Sequence, residues 1–125
     1  MTRNGGMEPG YDSRSIEINI RRAMEEQAKI ASDCKRVAED VLARADGRDL
    51  TPGEQERWDA HDLKRTRATA AVMLLKRLEA LRQKAEHGPL DLWDIKLLKV
   101  LVKSQLPGAQ AILQGCRRVR QGGAR

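Results

Sequence analysis

Between Ile16 and Val41 the seam positions fall alternately four and three residues apart: Ile16, Ile20, Ala23, Gln27, Ile30, Cys34, Val37 and Val41, with Gln27 the one polar member. A helix that repeats in this way keeps one stripe turned toward a neighbouring helix for about seven turns. A strand cannot use the pattern, because its faces alternate at every second residue. Alanines at 31, 38 and 45 widen the stripe by one position, as in bundles of more than two helices. The seam can close on another helix of the same chain, or a second copy can complete the bundle. A polar residue such as Gln27 fixes register in either case.

Composition agrees with helices. The chain has 125 residues, the size of one domain. Only 2% are aromatic and none is Phe, so a core must come from Leu, Ile, Val, Ala and Met, a set better suited to helix packing than to a sheet. The fold class expected is all-α: an antiparallel helical hairpin with two shorter C-terminal helices, forming a three- to four-helix bundle.

Residues 1–14 are rich in Gly, Pro and polar side chains and are expected to form a disordered arm. A single bundle domain is expected over 15–121, with a disordered tail over 122–125. Ser13 or Ser15 is the expected cap of a first helix running to about Ala45, stopped by Asp46 and Gly47. Thr51-Pro52-Gly53-Glu54 reads as a capping box with proline at the first helical position, opening a second helix to about Glu86. Its seam runs through Ala71, Leu74, Leu78, Leu81 and Ala85, and the stretch from Ala70 to Leu75, apolar around most of its circumference, is expected to sit deep in the bundle. The short connection makes the first two helices antiparallel. Asp91 caps a third helix reaching Leu106, with Leu92, Ile95, Leu98 and Val102 on its apolar side. Pro107 and Gly108 then break the chain before a shorter helix along Ala109, Ile112, Cys116 and Val119. The two short helices are expected to lie along the hairpin as a third, broken rod.

Charge is distributed unevenly. Residues 1–50 carry 9 basic and 10 acidic side chains, residues 51–90 carry 8 and 6, and residues 91–125 carry 7 and 2. No acidic residue follows Asp94, whereas Lys96, Lys99, Lys103, Arg117, Arg118 and Arg120 do. These six are the candidate binding residues for an anionic partner. Phosphate contact by Arg117, Arg118 and Arg120 would be non-specific, since no aromatic interleaves with these three cations and no helix-turn-helix precedes them. The lysines also fit the solvated side of an amphipathic helix, and the arginines in part compensate a helix dipole.

Other chemistry is not indicated. Cys34 and Cys116 fall on apolar stripes as small buried hydrophobes, and His61 and His87 have no metal-ligand spacing. Asp59 and Asp62 beside His61 belong to an exposed charged turn, so no catalytic residue, metal, cofactor or small-molecule ligand is expected. The longest strongly apolar stretch, Ala68 to Leu75, is far short of the roughly twenty residues of a spanning helix. The first residues lack a signal-peptide core. A cytoplasmic protein without a membrane partner is expected.

The text from Ala43 through Thr51-Pro52-Gly53-Glu54 to Trp58-Asp59, followed by Leu-rich helix to Ala85, resembles the helical scaffolding (delta) segment of tailed-phage major capsid proteins. That resemblance implies an assembly role through helix pairing and carries over no functional residue. The expectation is a non-enzymatic interaction or assembly protein that associates with itself or with another helical protein. The alternatives are a non-specific nucleic-acid-binding protein of phage or mobile-element origin and a small chaperone or scaffold for a client helix.

Overall fold

The computed structural model describes residues 12–123, with side chains described over 12–116. The fold is all-α, with helices α1 (Ser13–Ala45), α2 (Pro52–His87), α3 (Leu92–Lys103) and α4 (Ala109–Gly123) and no strand among the described residues. Most of the arm expected over 1–14 lies outside the described residues, but Ser13 and Arg14 already belong to α1. The cap is Asp12 rather than either serine: its Oδ1 accepts from the Ser15 amide at 3.0 Å, since an N-cap serves the amide three residues on. At the other end α4 continues to Gly123, into the expected tail.

The turn signals act as their chemistry requires. Asp46 (φ 48°) and Gly47 (φ 83°) take the left-handed conformation that ends α1. Thr51 Oγ1 accepts from the Glu54 amide at 3.2 Å and Glu54 Oε1 accepts from the Thr51 amide at 2.9 Å, completing the capping box of α2. A second reciprocal box starts α3, where Asp94 N–H donates to Asp91 at 2.8 Å and Asp91 N–H donates to Asp94 at 3.3 Å. This helix stops at Lys103, three residues short of Leu106, because Gln105 turns to φ 59° ahead of Pro107 and Gly108.

The chain divides into two compact units. Unit 1 joins Met1–Ala23 with Leu74–Arg125 and holds the start of α1, the end of α2, and α3 with α4. Its core contains Ile20, Leu75, Leu78, Leu98, Leu101 and Ile112, all essentially inaccessible to solvent. Helices α3 and α4 pack on each other within this unit. The buried side of α3 is Ile95, Leu98 and Leu101, while Leu92 points outward. Gly108, at φ 82°, lies under Ile16, where a Cβ would come within 2.5 Å of Ile16 Cγ2.

Unit 2, Met24–Met73, is the pair formed by the end of α1 and the start of α2. Its buried apolar residues are small or medium-sized: Cys34, Ala38, Val41, Ala45 and Ala68. Each helix of a pair has one neighbour and leaves most of its circumference outward. For that reason the stretch from Ala70 is not deep: Ala70 is exposed, Met73 is 56% exposed, and only in unit 1, at Leu75, is the face fully buried.

Candidate interaction surface

The expected pairing seam is used unevenly. In unit 1, Ile16 and Ile20 are buried and Ala23 is half-buried; in unit 2, Cys34 and Val41 are buried and Gln27 and Val37 are half-buried. Ile30 departs from the pattern at 42% exposed. It lines a shallow open groove with Gln27, Cys34, Lys64, Arg67 and Ala68. The α2 residues there are two long cations and an alanine, so no large apolar side chain closes over Ile30.

Unit 1 contains a charged cluster that the residue pattern does not announce. Arg82, only 4% exposed, donates from Nε and Nη2 to the two oxygens of Glu79, both at 2.7 Å, and from Nη1 to Ser13 Oγ at 2.6 Å. Glu86 lies 3.1 Å from Nη1 and Glu17 3.7 Å from Nη2. The Arg82 hydrogen bonds hold the Glu79 carboxyl below the usual carboxylate range, against the opposing effect of burial. This cluster ties the start of α1 to the end of α2. Sequence offers one clue, the Glu79-Arg82-Glu86 spacing on a helix face that also carries Leu75 and Leu78.

The outer face of α3 is a different kind of surface. Lys96, Lys99 and Lys103 are exposed, and none forms an ion pair with a described residue. Asp91 and Asp94 are instead engaged by Lys84, which lies 2.6 Å from Asp94, and the hydrogen bond to Asp94 raises the Lys84 ammonium above its ordinary range. Leu92, Trp93 and Val100 are exposed beside the lysines, Trp93 by 76%. The Lys96 ammonium stands 5.1 Å from the Trp93 ring centroid, a cation–π geometry. An aromatic therefore stands within the lysine stripe. The i, i+3 spacing of Trp93 and Lys96, with Val100 one turn further, is the signal that could have revealed it.

The side chains of Arg117, Arg118 and Arg120 lie outside the described residues, so the stripe is defined by its lysines. Cys34 and Cys116 are buried, and desolvation pushes the Cys116 thiol up to about 11. His61 Nδ1 lies 2.9 Å from the Arg57 carbonyl oxygen. Among the described residues no three His, Cys, Asp or Glu side chains stand together as a metal site, and no helix is long and apolar enough to cross a membrane. Comparison of the chain with protein-family models, with curated proteins and with solved structures gives no match.

Proposed function

We propose that this chain acts by binding rather than by catalysis, as a helical interaction and assembly protein that self-associates and holds an anionic partner on its basic C-terminal face. The observation that carries this reading is the outer face of α3, where three lysines without an acidic partner among the described residues stand beside exposed Leu92, Trp93 and Val100. Charge of one sign draws an anionic partner, and adjacent apolar area adds a contribution that salt does not screen. A cytoplasmic setting and a phage or mobile-element origin complete the reading, the latter from the resemblance of residues 43–85. Sedimentation equilibrium across the micromolar range tests it. A mass above that of one chain is expected, and a single-chain mass at every concentration overturns self-association.

A second reading, non-specific nucleic-acid binding, is favoured by the ring of Trp93 beside Lys96, which offers one base a stacking surface next to a cation. Random-sequence single-stranded DNA is the probe. Affinity should fall steeply with salt, and further when Lys96, Lys99 and Lys103 are changed to Ala. Unchanged affinity in that variant removes α3 from this role.

A further inference from the structure

Resting on the reading above, we infer that the anionic partner of α3 is a second copy of this chain, engaged through the acidic face near the start of its α2. Between Asp46 and Asp62 the chain carries six carboxylates, at 46, 49, 54, 56, 59 and 62, against two cations, Arg48 and Arg57. Two of the six are neutralised locally, Glu54 by Arg48 at 2.7 Å and Asp62 by Arg65 at 2.7 Å. Glu56 and Asp59 form no ion pair with a described residue; Asp59 accepts only a hydrogen bond from Gln55 at 2.9 Å.

Glu56, Asp59 and Leu63 stand at i, i+3 and i+7, which puts them on one face of α2, and all three are exposed, Leu63 by 49%. Lys96, Val100 and Lys103 stand at i, i+4 and i+7 on α3, beside Trp93. Each strip is about two turns long and combines an apolar side chain with two charges of one sign. The signs are opposite. Because the charges of both strips are exposed and have no ion-pair partner among the described residues, each strip is open to another molecule. Laid side by side, the strips of two copies set Leu63 against Trp93 and Val100 while carboxylates meet ammonium groups. The apolar half favours this occupant over a polyanion, because phosphate contact uses no aliphatic surface and Leu92 and Val100 stack no base.

The two strips are unlike, so a single contact is heterologous: each copy that joins uses one strip and keeps the other, the assembly retains one free strip of each sign, and copies add head to tail into a ring or an open chain. Two short strips fall below the roughly 1,200 Å² of a stable interface, so association is weak and sensitive to salt.

Sedimentation equilibrium of the full chain tests the inference with two charge-reversed variants. One carries Lys96→Glu, Lys99→Glu and Lys103→Glu; the other carries Glu56→Lys and Asp59→Lys. All five positions are exposed, and circular dichroism checks that helicity is retained. The wild type is expected to exceed one chain in mass at low salt and to approach one chain at high salt. Either variant alone stays at one chain, and their equimolar mixture regains mass, because a reversed strip on one variant then meets its opposite on the other. If reversal lowers helicity, Lys96→Gln, Lys99→Gln and Lys103→Gln together are expected to weaken association about tenfold. A mixture that remains at one chain overturns the inference. Wild-type mass in either single variant also overturns it, while leaving self-association intact through another surface. Loss of DNA binding in the lysine variant with self-association unchanged assigns α3 to nucleic acid and overturns it as well. A wild type that never exceeds one chain overturns both this inference and the reading beneath it.

Discussion

Arg82 directs its guanidinium to Glu79, Ser13 and Glu86 from a position almost closed to solvent, and its value lies in what its removal would expose. Arg82→Ala leaves the buried Glu79 carboxylate without its partner, and breaking such a pair costs about 3–5 kcal/mol. Replacing both members with apolar residues, Arg82→Met with Glu79→Leu, should recover most of that loss, since no fully buried charge is then stranded: Glu86 is half-buried, and Glu17, half-buried too, keeps Arg21 at 2.7 Å. Urea denaturation of the two variants checks the order, and equal losses would show that the cluster acts by packing instead of by charge. Two glycines allow a similar comparison. Gly108 and Gly47 have nearly equal φ, 82° and 83°, but a Cβ on Gly108 meets Ile16 whereas a Cβ on Gly47 meets nothing within 4 Å. Gly47→Ala should therefore cost about 1–2 kcal/mol from backbone conformation alone. Gly108→Ala should cost clearly more in the same denaturation experiment, because the buried Ile16 must also move.

Helix starts show what local chemistry fixes. The Thr51–Glu54 box is readable from four letters because its hydrogen bonds join residues three apart. Arg48, which grips both Glu54 oxygens at 2.7 and 2.9 Å, is not readable in that way, because its approach depends on how the turn through Gly47 is closed. The Arg48 hydrogen bond is the main reason that the Glu54 carboxyl is held down at about 2, against an ordinary 4.5, with the Thr51 amide next. A depressed carboxyl stabilises the fold fully above its unfolded value and loses that effect as pH falls through the folded one. The difference in thermal midpoint between wild type and Glu54→Gln should thus be present at neutral pH, shrink below about 4.5 and vanish near 2. A constant difference across that range would separate the ion pair from helix stability. Among the longer elements, the seam of α1 is legible where α2 supplies a complementary face and fails at Ile30, where Lys64 and Arg67 line the same groove. Trp93 and the Arg82 cluster escape the sequence for a related reason: both are defined by which side of a helix is covered, and periodicity names a face without naming its neighbour.

At the scale of the whole molecule, the large inaccessible side chains are concentrated in one unit. Ile20, Leu75, Leu78, Leu98, Leu101 and Ile112 all belong to unit 1, whereas unit 2 buries mainly alanine, one cysteine and one valine. Apolar burial contributes about 25 cal/mol per Å², so a helix pair closed by small side chains gains less per ordered residue than a four-helix core. Local opening should follow that division. Amide hydrogen exchange under native conditions is expected to protect Leu75–Leu81 and Ile95–Leu101 most strongly, with weaker protection across Cys34–Val41 and Trp58–Ala68. Leu78→Ala should lower protection in unit 1 by about 2–5 kcal/mol, because it opens a cavity in that core. The same logic bears on assembly. If unit 2 supplies the acidic strip of a contact between copies, raising the protein concentration should increase protection over Trp58–Ala68, and Glu56→Lys with Asp59→Lys should abolish that increase. Protection independent of concentration would mean that the pair holds its marginal fold without help from a neighbour.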